Sequence, residues 1–224
     1  MAEPTTENNN DLNTARNRLV MSALHIFAEK GYEGASTREI CERAEVNISA
    51  IRYYFGDKAG LYRAVFHGPD NGSPCKVNVE ALANLPLPEA LSSFYKDFLE
   101  PLKHGEEVRL VMKLHFREMI EPTGVWHDKI DEGIKPQHEA MVALLKQHLG
   151  LKRVDVDVHR LAFAMIGMAV HYYVGHEVVS TISPQLLNTP KAVEVLGERL
   201  SAYSLAMVER EAKRRAQGKD YEDK

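Results

Sequence analysis

Asn47, Ser49, Arg52 and Tyr53 fall within seven residues, and together they carry the groups that read base edges and phosphates of double-stranded DNA. A guanidinium forks onto guanine or grips a phosphate, an amide or hydroxyl bonds a base or the backbone, and a phenol donates to a phosphate oxygen. Ala50, between them, is small enough to lie against a thymine methyl. Thr37 and Arg38 open the preceding helical stretch, where free backbone amides hold a phosphate, and Lys58 opens the following one. Any one of these is a weak signal, because a lone arginine on a helix is usually a solvated charge. Their spacing is what joins them.

Residues 37 to 58, TREICERAEVNISAIRYYFGDK, place Ile40, Ala44, Val46, Ile51 and Tyr54 on one small core once the chain bends near Glu45 and Val46. This predicts a helix-turn-helix whose second helix, about Ile48 to Phe55, is presented to the major groove. The five groove candidates Asn47, Ser49, Ala50, Arg52 and Tyr53 are the positions left off the core stripe. A helix from Thr14 precedes the unit, with Val20, Ala23, Leu24, Phe27 and Ala28 on one face and Lys30 with Gly31 as its stop. Ser36 or Thr37 caps helix 2, with Glu39 in its first turn, and Asp57 caps helix 4, which returns Leu61, Ala64 and Val65 to the core.

The electrostatic footprint is thin. The 224-residue chain has a formal charge of -4, and between Leu12 and Gly68 eight basic residues face six acidic ones. DNA contact must therefore come from a local patch rather than a basic coat. Two cysteines, Cys41 and Cys75, make no disulfide framework and fit a reducing compartment. The opening MAEPTTENNNDLN is polar and acidic, read as a disordered tail over residues 1–13 rather than a leader. The most apolar run, Leu161 to Val170, is too short to span a bilayer, so a cytoplasmic protein is expected.

The expected organisation is all-α: a DNA-binding domain over 14–68, a Gly/Pro-rich linker over 69–88, a helical ligand-binding and dimerisation domain over 89–217, and a charged tail over 218–224. In the second domain the rhythm predicts helices over Pro88–Lys103 and Glu106–Ile120, and over Val125–Leu149 with a kink or split at Gly133 and Pro136. A central buried helix is predicted over Asp155–Val179, and a last helix over Pro190–Ala216. Val193, Leu196, Leu200, Tyr203 and Met207 alternate by three and four, a heptad-like seam expected to pair two copies. Phe94, Phe98, Met112, His115, Phe116, Met119, Trp126, Met165, Met168, Tyr172 and Tyr173 mix sulfur, aromatic surface and polar tips, as a small-molecule pocket between helices does. Most such residues fill cores, which is the competing reading of each. The scattered histidines, including His171 and His176 five apart, lack metal-ligand spacing, and no phosphate loop, nucleophile elbow or paired-carboxylate motif is present. No metal, cofactor or enzymatic activity is expected. A helical ligand-binding or enzymatic protein with a merely structural helix-turn-helix, or an architectural DNA binder without effector, remain as alternatives.

The segment FAEKGYEGAST followed by REICERAEVNISAIRYYFGDKAGLYRAVF resembles the DNA-binding domain of TetR-family transcriptional regulators over about residues 14–67. The Phe-x-x-x-Gly-Tyr turn, the helix-turn-helix and Tyr-Tyr-Phe-Gly-x-Lys stand in family order and spacing. Asn47, Ile48 and the stretch FREMIEPTG are similar to the CecR (YbiH-like) branch. The resemblance implies an all-helical homodimer, usually a repressor, that reads a near-palindromic operator and binds a small effector in its second domain. It assigns DNA contact to Thr37, Arg38, Asn47, Ser49, Ala50, Tyr53, Tyr54 and Lys58. Two positions depart from the pattern: Glu45 stands where such turns carry Gly, and Cys41 replaces a small Ala.

Overall fold

A computed structural model describes residues 6–66, 77–125 and 134–218, with side chains from residue 15 onward. In chain order the helices are α1 (Thr6–Gly34), α2 (Thr37–Ala44), α3 (Ser49–Phe55), α4 (Lys58–Val65), α5 (Val79–Leu82), α6 (Leu87–Leu99), α7 (Glu106–Ile120), α8 (Lys135–His148), α9 (Val156–Val174), α10 (His176–Ile182) and α11 (Pro190–Ala216). The described residues contain no strand, and none of their helices is long and apolar enough to cross a membrane. Two compact units result: α1 to α4 with α7, and α5, α6 and α8 to α11.

In the first unit Leu19, Ala23, Leu24 and Phe27 of α1 pack on Ile40 and Ala44 of α2, Ile51 of α3, and Leu61 and Val65 of α4. Val111 and Leu114 of α7 join the same core, so packing groups α7 with this unit although the sequence places it beyond the 69–88 linker. Helical spacing shows that α7 has an apolar face but cannot say which helix that face meets. Helix α1 begins at Thr6, inside the stretch expected to be a tail, since a helix already nucleated extends at little cost through a segment without Gly or Pro. Residues 1–5 lie outside the described residues. Gly31 breaks α1 as expected, at φ 73°; a Cβ there would sit 2.7 Å from the Arg117 guanidinium.

In the second unit the core runs through Phe94, Tyr95 and Leu99 of α6, Met141 and Leu145 of α8, Ala162 and Met165 of α9, and one face of α11. That face corrects the expected seam: Val193, Leu196 and Leu200 are buried within the protomer, Gly197 lies against Leu99 and Tyr95, and Met207 packs half-buried on the same core. Only Tyr203, 55% exposed, faces out. Alternation by three and four marks a helix's apolar side equally for a core within one chain and for a seam between two. The predicted buried helix over Asp155–Val179 is corrected as well. It divides at Gly175 into α9 and α10, and α9 buries one side only, Val158, Ala162, Met165 and Ala169, while Phe163 is 64% exposed. The helix expected over Pro88–Lys103 ends at Leu99, where Pro101 enforces a 3-10 turn over Glu100–Lys103. Pro136 sits in the first turn of α8, and residues 126–133 lie outside the described residues.

Candidate nucleic-acid interface

The turn between α2 and α3 is made by the residue least suited to it. Glu45 takes φ 54° and ψ 46°, the left-handed conformation anticipated from its place in the turn, and its backbone amide with that of Val46 caps the carbonyls of Glu42 and Cys41 at 3.2 and 3.0 Å. The conformation costs an L residue about 1–2 kcal/mol. Ile51 anchors α3 beneath, buried against the core. At the other end the chain reverses through Gly56, and Asp57 caps α4 by accepting from the Gly60 amide at 2.7 Å. Gly60 permits the closest approach in the unit, since a Cβ there would lie 1.9 Å from the carbonyl oxygen of Phe55. The first turn of α4 is thereby seated on the last turn of α3, and α3 is fixed at both ends.

Arg52 and Tyr53 stand exposed on the outer face of α3, Tyr53 at 73%, and Arg52 makes no ion pair with any described residue. Asn47 and Ser49 are exposed but engaged with each other: Asn47 Oδ1 accepts from the Ser49 amide at 3.0 Å and from Ser49 Oγ at 2.9 Å. Their first task is to hold the start of α3, which leaves the Asn47 amide nitrogen as the group free to face a base. Ala50 and Tyr54 are half-buried and packed against the core, Tyr54 also lying edge-on to Tyr53 with ring centres 4.9 Å apart. Thr37 is half-buried, and Arg38 is exposed in an ion pair with Glu42 at 3.1 Å. Lys58 lies half-buried with its ammonium 4.6 Å from the centre of the Tyr32 ring. A residue missed by sequence reasoning, Ile48, is 54% exposed at the head of α3; the signal was its place four residues before Arg52, one helical turn away on the same face.

Behind this face lies a buried carboxylate. Glu118 of α7, 3% exposed, accepts from Tyr62 Oη at 2.7 Å, from Thr123 Oγ1 at 2.9 Å and from the Thr123 amide at 3.1 Å. Burial first, and the Glu118 carboxylate second, push the Tyr62 phenol far above its ordinary range, so it is a permanent donor here. The phenol ring packs edge-on to Phe27 and Phe66, tying α4 to α1 as well. Arg117, beside Glu118 in sequence, pairs with Glu121 at 3.1 Å.

The residues expected to line an effector pocket divide between the two units. Met112, His115, Phe116 and Met119 belong to the first unit, with Met112 and Phe116 buried and the His115 ring edge-on to Phe66. Phe94, Phe98, Met165, Met168, Tyr172 and Tyr173 belong to the second, where Phe94 and Met165 are fully buried core and Tyr173 Oη donates to the Phe98 carbonyl at 2.5 Å. Trp126 lies outside the described residues.

The family model of bacterial regulatory proteins of the tetR family matches residues 19–65, and that of the C-terminal domain of the HTH-type transcriptional dual regulator CecR matches residues 87–209. The chain is 30% identical over 177 residues to the HTH-type transcriptional dual regulator CecR of Shigella flexneri, a match that spans 74% of this chain and 78% of that protein. In fold it is similar to the TetR-family regulator PfmR of Thermus thermophilus, with a TM-score of 0.59 at 19% identity over 84% of this chain and 97% of that one. It is similar also to HlyIIR, a hemolysin II transcriptional regulator, at 0.56 and 20% over 79% and 97%. These relatives are regulators of transcription rather than enzymes. A helix-turn-helix with its outer face carrying Arg52 and Tyr53, followed by a CecR-type helical domain, places the chain in the TetR family of DNA-binding transcriptional regulators.

Proposed function

We propose that this regulator is a repressor that binds a near-palindromic operator as a homodimer and is released by a small-molecule effector. The observation that carries the reading is the outer face of α3, where Arg52 and Tyr53 project from a helix locked at both ends by the Glu45 turn and the Gly60 contact. One seven-residue helix reads too few base pairs to find a site in a genome, so two copies set about one helical turn apart, roughly 34 Å, supply the missing specificity. The names of two relatives, the dual regulator CecR and the repressor AcnR of Corynebacterium diphtheriae, support control of transcription by occupancy of DNA. Such a protein works where the DNA is, in the cytoplasm. An effector need shift the DNA-binding equilibrium by only about 1–3 kcal/mol to be useful.

The test is selection of operator from random duplex DNA, followed by binding of Arg52→Ala and Lys58→Ala. Loss of a base contact relaxes sequence preference at one position, whereas loss of a phosphate contact weakens all sequences alike and reduces the salt slope by about one. The phosphate signature is expected for Lys58, whose ammonium lies 4.6 Å from the centre of the Tyr32 ring in the first turn of α4, and the base signature for Arg52. Preference unchanged in both variants contradicts the reading of this face. Compounds that dissociate the complex then identify the effector, and a reporter under the selected operator gives the direction of control.

A further inference from the structure

Ile48 opens α3 as its first helical residue, at φ -58° and ψ -28°, behind Asn47, whose Oδ1 caps the helix by taking the Ser49 amide, and it turns 54% of its surface to solvent. A single exposed isoleucine is ordinary on a protein surface. This one, however, stands one helical turn before Arg52, on the exposed face of α3 that the proposed function presents to DNA. The methyl landmark of the major groove is the C5-methyl of thymine, where cytosine carries only a hydrogen. Ala50, the other aliphatic side chain open to that role, is half-buried against the core. Ile48 is therefore the exposed aliphatic surface that α3 offers to that methyl.

We propose that Ile48 packs against a thymine C5-methyl in each half-site and makes the protein select thymine over cytosine at that step. The proposal rests on α3 being the recognition helix. Its test starts from operator selected with the full-length chain, in which each thymine of a half-site is replaced in turn by deoxyuracil, a change that removes the methyl and leaves every hydrogen-bonding group. Affinities are measured for the wild type and for Ile48→Ala, an exposed substitution whose fold is checked by circular dichroism. For one thymine per half-site, deoxyuracil should weaken wild-type binding about fourfold, the worth of one buried carbon. The same replacement should leave Ile48→Ala unaffected, because the contact is already gone. An equal loss in wild type and variant, or no sensitive thymine in an operator that the wild type binds well, overturns the role of Ile48. Failure to select any sequence overturns instead the reading of α3 on which it rests.

Discussion

At the scale of single residues, the DNA-binding unit departs from local preference at Glu45 and depends on the absence of a side chain at Gly60. The left-handed turn at Glu45 is strained by about 1–2 kcal/mol, and glycine there relieves it while costing about 0.4–1 kcal/mol through a freer unfolded chain. Glu45→Gly should therefore raise stability by about 0.5–1 kcal/mol, seen as a higher midpoint in urea with unchanged slope. A lower midpoint would show that the Glu45 side chain does something more than endure the turn. Gly60→Ala should act in the opposite sense and more strongly. Its new methyl would meet the Phe55 carbonyl oxygen, a backbone atom that cannot swing away, so α3 and α4 must part. A loss of at least about 2 kcal/mol is expected, with operator affinity falling further than stability because the recognition helix itself is re-aimed. The two positions differed in legibility. Glu45 was readable because turn chemistry is local to it, whereas nothing in GDKAGLY says that Gly60 touches the end of the preceding helix.

At the scale of elements, the stripes of α1 to α4 were readable because their apolar residues recur at helical spacing; Asp57 caps α4 as its sequence promised, whereas Ser36, at the N-cap of α2, makes no side-chain capping bond. What no periodicity carries is the partner of a stripe. Helix α7 packs on α1 and α4, and its Glu118 reaches across to Tyr62, 56 residues earlier in the chain. Tyr62→Phe removes one of the three hydrogen bonds that keep Glu118 buried and should cost about 1–3 kcal/mol. In a cycle with Glu118→Gln, a coupling near zero would mean that the two side chains are only neighbours. A second tie joins the start of α9 to the end of α11: Arg215 forks onto Asp155 at 2.6 and 2.9 Å, and Arg214 meets Asp157 at 2.6 Å. The hydrogen bonds from Arg215 hold the Asp155 carboxyl down to about 2, below its unfolded value near 3.8. Its contribution is thus fully present above about pH 4 and is lost as pH falls through about 2. Denaturant midpoints between about pH 5 and about pH 2 should fall less steeply in Arg215→Ala than in wild type, and parallel curves would assign the acid sensitivity elsewhere.

At the scale of the whole molecule, the proposed homodimer must use a surface that the protomer leaves open, and burial removes most of the expected seam from it. With Val193, Leu196 and Leu200 spent on the internal core, the apolar side chains that α9 and α11 still show to solvent are Val156, Phe163, Val174, Val195 and Tyr203. Val195 and Tyr203 lie on the helix whose seam was expected to pair copies, and of that seam Tyr203 is the residue that stays open. Water-facing Phe163 and Tyr203 are costly for a monomer and become favourable once a second copy covers them, because a two-fold pairing buries each of them twice. Buried and open faces therefore separate by mutation. Leu200→Asp puts an unpaired charge into the second unit's core and should unfold that unit, giving aggregation or a lost transition in a melt. Phe163→Asp changes a side chain that is mostly in solvent and whose ring stacks on that of His138 at 4.2 Å, a surface contact rather than a core one. The chain should therefore stay folded by circular dichroism and sediment as a monomer at micromolar concentration. Operator binding by that variant should fall to the level of a single half-site while its recognition helix is untouched. A Phe163→Asp protein that still sediments as a dimer would place the pairing surface elsewhere, and one that is monomeric yet binds the full operator undiminished would show that a single copy suffices for recognition.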